Sequence, residues 1–175
     1  MKILVSLGFV VGTVAIILLG FPTGNTDRDF LRFHIRANSN AASDQAVKYT
    51  IQQSVINDFT PMFSNITTME DAMSSMRNNL RRIEAISNEI LISYGKTYTA
   101  RASLQWEHFP TRNYRDVTLP EGFYNAVIIE LGAGLGDNWW CVIYPPLCFL
   151  QNNIGGNQGV VYRSRLNEII NRFFR

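Results

Sequence analysis

The sequence predicts an α+β fold in which helices pack on one face of a mainly antiparallel sheet, in the order β-α-α-β-β-β. Three observations lead there. A short segment after Asp29 alternates apolar and polar residues, two stretches between Ser43 and Gly95 carry apolar residues at helical spacing, and from Thr97 onward the period falls to two. At 175 residues, 46% apolar and 17% charged, the chain is long enough for one core and too apolar for bulk disorder. Its formal net charge of +2, spread over scattered basic residues, gives no electrostatic footprint for nucleic acid.

An apolar export helix is expected ahead of this domain. Lys2 is followed by Ile3–Phe21, an uncharged run about as long as the ~20 residues that cross a hydrocarbon core. It reads either as a cleaved signal peptide or as an uncleaved membrane anchor, with Gly8 and Gly12 in a GxxxG that could pair two spans. The expected organisation is then 1–25 as address or anchor, 27–150 as exported domain, and 151–175 as a loop with a short basic amphipathic helix that docks on the domain or touches a membrane surface.

Each element has a local cause. In Phe30–Arg36, Leu31, Phe33 and Ile35 fall on one side and Arg32, His34 and Arg36 on the other, so a half-buried strand with a solvated His34 is expected. Asn38-Ser39-Asn40 breaks it. Ser43 or Asp44 can then cap a helix whose stripe is Val47, Ile51, Val55, Phe59 and Met62, with Pro61 weakening its end. Thr67 and Glu70 have the spacing of a capping box, and the stripe behind them runs from Met69 through Met73, Met76, Leu80 and Ile83 to Ile90. That is one long helix or two with a bend near Arg82, and Gly95 stops it.

A strand follows with Tyr98, Ala100, Ala102, Leu104 and Trp106 on a dry face. Pro110–Gly122 is rich in turn residues. Phe123–Leu131 and Trp139–Tyr144, joined by Gly132, Gly134 and Gly136, read as a hairpin with a long glycine loop. That loop is not a phosphate cradle, because its spacing is not GxGxxG and a strand follows it.

Catalytic chemistry has little to work with. His34 and His108 belong to no HExxH, and no GxSxG, Walker or CxxC pattern is present. A carboxylate pair for glycoside hydrolysis would have to come from Glu107, Glu121 and Glu130, which nothing in the sequence brings together. No metal-ligand set, cofactor motif or small-molecule substrate site is expected. Cys141 and Cys148 flank Pro145-Pro146; outside the cytoplasm they can join as a disulfide, and otherwise they are two buried thiols. Closing so short a loop would contribute ~2.5 kcal/mol in the chain-entropy model.

The most informative segment is Asn138–Leu150. Alternation puts Trp139, Cys141 and Ile143 on one face, Trp140, Val142 and Tyr144 on the other, and both faces are apolar. Either the strand is central and dry on both sides, or one side is an exposed aromatic patch that marks an interaction site. Asn138, Trp139, Trp140, Tyr144, Pro145 and Pro146 are the candidate partner-binding residues.

RFHIRANSN (Arg32–Asn40) with Asp44–Lys48, the series Phe109–Thr111 and Leu119–Ala126, and the block from Gly132 through Asn138-Trp139-Trp140-Cys141-Val142 to Pro145–Phe149 are similar to the stage II sporulation protein R family. The resemblance covers about Arg32 to Leu150. It implies an exported, non-enzymatic signalling protein of endospore formation, made in the forespore. Such a protein crosses the forespore membrane and, in the intermembrane space, activates a mother-cell membrane protease of the aspartic type that processes a sigma-factor precursor. The receptor protease would be the partner, with the membrane a second one if the N-terminal segment is retained. A cell-wall binding protein or hydrolase, its tryptophans stacking on sugar rings, is the alternative, and an anchored structural protein a third.

Overall fold

The computed structural model describes residues 30–63, 65–114 and 117–150. The expected export helix and the expected C-terminal helix lie outside them. Among the described residues no helix is long and apolar enough to cross a membrane.

The elements are β1 (Leu31–Arg36), α1 (Ala42–Phe63), α2 (Met69–Ser93), β2 (Ala100–Phe109), β3 (Arg112–Tyr114), β4 (Val117–Leu119), β5 (Gly122–Leu131), β6 (Asn138–Tyr144) and a short 3-10 helix, Leu147–Leu150. They form an α+β fold, but the sheet is mixed. Its order is β2-β5-β1-β6, with β1 parallel to β5 and antiparallel to β6, while β2 and β5 are antiparallel. The expected β5–β6 hairpin does not form. The glycine connection is long enough to carry the chain over the end of β1, so β1 lies between the two strands, Leu31 opposite both Asn125 and Tyr144.

Helices α1 and α2 cover one face. Val47, Ile51, Val55 and Phe59 from α1 and Ala72, Met76, Ile83 and Leu91 from α2 close over Leu31, Phe33, Ile35, Val127 and Ile129. α2 is a single helix. Its N-cap is Thr68 rather than Thr67: the Thr68 hydroxyl accepts from Asp71 N–H at 3.1 Å and donates to the Asp71 carboxylate at 2.6 Å, shifting the capping pair by one residue. At its other end Gly95 adopts φ 66°, and the N–H groups of Gly95 and Lys96 return to Ile92 and Leu91, a Schellman termination. The same helix caps the sheet edge. Ala100 N–H donates to Asn88 and Ala102 N–H to Glu84, both at 2.8 Å, so part of the free edge of β2 is covered. Cover ends beyond Leu104, which is why Trp106, expected on the dry face, is 53% exposed and stacks on exposed Phe123.

The opposite face is also dry. Within the stretch read as turn-rich, β3 and β4 pair as a two-stranded ribbon. Residues from it and its flanks (Phe109, Tyr114 and Leu119), with Phe30 and Leu147, cover Tyr124, Ala126, Ile128 and Val142. Arg32 and His34 therefore lie inside a second core, 0% and 2% exposed, and the expectation of a solvated His34 is overturned. A register shift between Leu31 and Arg32 adds one residue to β6, since Arg32 pairs with Val142 but Leu31 with Tyr144. This turns Tyr144 to the helical side, where its hydroxyl donates to the Thr67 carbonyl at 2.7 Å, instead of the Trp140 side that strict alternation predicts.

Candidate functional site

The two sequence segments richest in small polar residues and glycine meet where β1 ends. Asn38 and Asn40 use their side-chain oxygens to accept the Ala133 and Asp137 N–H groups, at 2.9 and 2.6 Å. The Ala37 carbonyl accepts Gly136 N–H at 2.9 Å, and the Asn38 carbonyl accepts Leu135 N–H at 3.3 Å. The crossing loop is thus tied to β1 by backbone and side chain together. Glycine is required by proximity: a Cβ on Gly136 would overlap the Ser39 carbonyl, and one on Gly132, already at φ 57°, would overlap the Asn38 amide.

Beneath this junction sits a buried carboxylate. Asp44, 5% exposed, accepts hydrogen bonds from Asn38 (2.8 Å), Ser39 (2.6 Å), Tyr98 (2.7 Å) and the Lys96 ammonium (2.6 Å). Burial opposes the charge, but the donors outweigh it and hold the carboxyl well below its ordinary range. Burial raises the Tyr98 hydroxyl, and its bond to Asp44 raises it further. One turn along α1, Lys48 is buried as well. Its ammonium donates to the Gln45 amide oxygen at 2.6 Å and to the Asp137 carbonyl at 2.9 Å, and lies 4.6 Å from the Tyr49 ring centroid. Burial depresses its pKa, opposed by the Asp137 charge.

Lys48, Gln45 and Tyr49 form one wall of an open cleft of ≈ 520 Å³; Leu135, Asp137 and Asn138 form its rim, and Arg112 and Trp140 its far side. The indole of Trp140 stacks on His34, touches Phe109 edge to face at a centroid distance of 4.9 Å, and has the Arg112 guanidinium 5.1 Å from its centroid. Behind it Arg32 is enclosed by Phe109, Tyr124 and Tyr114, at 4.4, 4.8 and 5.4 Å, with one hydrogen bond, to the Tyr114 hydroxyl. Arg32 Nε and Nη1, both His34 nitrogens and Arg112 Nε have no hydrogen-bond partner among the described residues. Burial, then the charge of Arg36, lower His34 to about 4, with Arg112 and Arg32 acting the same way and the Asn138 side chain the opposite way. Burial likewise lowers Arg32.

The expected partner-binding residues are split by this arrangement. Asn138 is exposed at the cleft rim. Trp139 and Trp140 are half-buried on opposite faces of β6, Trp139 edge-on to Phe33 at 5.5 Å. Tyr144, Pro145 and Pro146 are buried. Cys141 and Cys148 form a disulfide, their Cα atoms 5.7 Å apart, which fastens the end of β6 to the 3-10 helix. Glu107 and Glu130 do come together, but on one guanidinium, that of Arg36, at 2.9 and 3.2 Å. Glu121 pairs separately with His108 at 3.2 Å. Sequence reasoning missed His34 and Arg112 as neighbours of Trp140, and Arg32 as a buried cation among Phe109, Tyr114 and Tyr124. The signal was available in β6: a strand apolar on both faces implies that the strand hydrogen-bonded to it is dry on both faces too.

Fold and site together define an α+β domain of three layers, with helices, mixed sheet and a small ribbon, and a basic, aromatic-walled cleft where β1 meets the glycine loop. The family model for stage II sporulation protein R matches residues 27–153, and the chain belongs to that family. It is 38% identical over 125 residues to stage II sporulation protein R of Bacillus subtilis (strain 168), a match covering 71% of this chain and 56% of the relative. The chain thus spans little more than half the length of that curated relative. No solved structure matches.

Proposed function

We propose that this chain is an exported signalling protein of endospore formation, which activates a membrane protease of the aspartic type and so leads to processing of a sigma-factor precursor. The observation that carries the reading is family membership over the whole described domain. Among the segments that resemble the family, Asn38 and Asn40 tie down the glycine loop, and Gly136, Asp137, Asn138 and Trp140 line the surface cleft. The protein acts by binding, without catalysis of its own. A ligand shifts a receptor only by preferring its active state, and a rigid loop tied at both ends presents side chains with little entropy loss on binding. The rim residues Leu135 and Asn138, with Tyr49 on one wall and Trp140 on the far side, are the contact surface in this reading.

A wall-binding reading draws less support, because the Trp140 ring is already stacked on His34 and flanked by Arg112, leaving a sugar ring to displace them. The test is co-expression of the chain with a candidate receptor protease and its sigma precursor. Precursor cleavage that appears only with the chain is the expected result. Cleavage independent of the chain, or retention of the purified chain on peptidoglycan with lysis of walls, rejects the signalling reading.

A further inference from the structure

The cleft between α1 and β3 is cationic and short of anions. Lys48 is 1% exposed, yet its two acceptors are an amide oxygen and a backbone carbonyl, and among the described residues no carboxylate lies within ion-pair distance. Arg112 across the cleft forms no ion pair and leaves Nε without an acceptor among the described residues. Among the described residues of the lining, Asp137 is the one acid. The direct hydrogen-bond partners of the Lys48 ammonium are neutral dipoles and the Asp137 charge acts on it only at longer range, so a carboxylate brought into contact would complete its shell. The other acidic groups of this end of the fold are engaged: Asp44 with Lys96, and Glu107 and Glu130 with Arg36. Leu135, 83% exposed, adds an apolar point at the rim, and each cation has an aromatic ring beside it, Tyr49 by Lys48 and Trp140 by Arg112. Two separated cations in a mostly polar cleft suit carboxylate side chains spaced along a peptide.

We propose that this cleft binds an acidic peptide segment of a protein partner, with its carboxylates between Lys48 and Arg112 and an apolar side chain against Leu135 and Trp140. The inference rests on the signalling reading for its partner and names the chemistry that partner must carry. Arg112 is half-exposed and is the positioning cation that approach meets first, whereas Lys48 forms the floor.

The test uses the full chain in dodecyl maltoside micelles and a fluorescein-labelled, end-capped hexaglutamate, with hexaglutamine carrying the same label as control. Saturable binding by anisotropy is expected for hexaglutamate alone, weakening at least about fivefold between about 20 and 150 mM salt. Arg112→Gln should weaken it about fivefold or more with an unchanged circular-dichroism spectrum. Asn138→Asp, which sets a carboxylate on the rim without altering size, should do the same and decides the matter if Arg112→Gln fails to fold. Equal binding of hexaglutamine, undiminished binding by the variants, or displacement by inorganic phosphate at equal concentration overturns the proposal. In the co-expression assay, processing that Arg112→Gln leaves intact overturns the cleft and keeps the signalling reading. Failure of the wild-type chain there removes that reading, and the peptide titration alone then decides the cleft.

Discussion

The imidazole of His34 lies face to face with the indole of Trp140, their centroids 3.7 Å apart and their planes 21° from parallel. A neutral ring stacks there without cost. A protonated one would be buried beside Arg36, Arg112 and Arg32, which is why its pKa falls to about 4.

That depression makes stability depend on pH. Above the ordinary histidine pKa of about 6.5, folded and unfolded chains both hold the ring neutral and nothing is lost. As pH drops from there toward 4, the unfolded chain takes up a proton that the fold refuses, so stability declines by up to about 3 kcal/mol. Urea midpoints of the full chain at pH 7.5 and pH 5 should therefore differ. His34→Phe, which keeps the stacking partner, should remove this part of the difference. An equal pH slope in wild type and variant would contradict the assignment.

Asp44→Asn should cost about 3–5 kcal/mol near neutral pH, because it leaves the Lys96 ammonium without its counter-ion among buried donors. The carboxyl is held below its ordinary range, so its contribution is complete above that range and fades only as pH falls through the depressed value. The deficit, read by chemical denaturation, should be full at pH 7 and shrink in strong acid.

Two glycines separate close approach from backbone preference. At Gly136 an added methyl meets the Ser39 carbonyl, a backbone atom that can yield only by moving β1 or the loop. Gly136→Ala should lose about 2–3 kcal/mol. Gly95 has open space around it and only its positive φ to defend, so Gly95→Ala should lose about 1 kcal/mol and Gly95→Asn less. Thermal midpoints rank the three. A Gly136→Ala midpoint at or above that of Gly95→Ala would mean the loop is not held as closely as described.

Replacing Cys141 and Cys148 together by serine, or reducing them, should remove about 2.5 kcal/mol of loop-closure stabilisation. Because the bond anchors only the end of β6 and the 3-10 helix, amide exchange should quicken at Ile143–Cys148 before it does in β1 and β5. Uniform acceleration across the sheet would instead mean that the bond secures the whole fold.

Residues with local causes were legible in the sequence. The stripes of α1 and α2, the stop at Gly95, the alternation of β2 up to Leu104 and the nearness of the two cysteines follow from periodicity, φ preference or spacing. Pairings set by distant chain were not. Nothing local tells Phe123–Leu131 and Trp139–Tyr144 that β1 will come between them, and Arg32 looks like a surface residue until Phe109, Tyr114 and Tyr124 close around it. The one-residue slip that moves Tyr144 across β6 likewise belongs to the pairing with β1. In the site, the Trp pair was visible as a type of residue in an unusual place. Its basic neighbours come from β1, α1 and β3, which only the fold brings together.

The place of β1 has a bearing on how the chain acquires its structure. It is the first strand of the described residues to leave the ribosome, yet both its hydrogen-bonding partners emerge near the end of the described domain. Until β5 is through, β1 has no neighbour, and until Tyr144 is through it lacks the second one, with Arg32 and His34 incompletely covered. The central sheet must then assemble in one late, concerted step across a large sequence separation, the kind of topology that folds slowly. A chain halted midway would hold its two helical segments without the sheet they are built to cover.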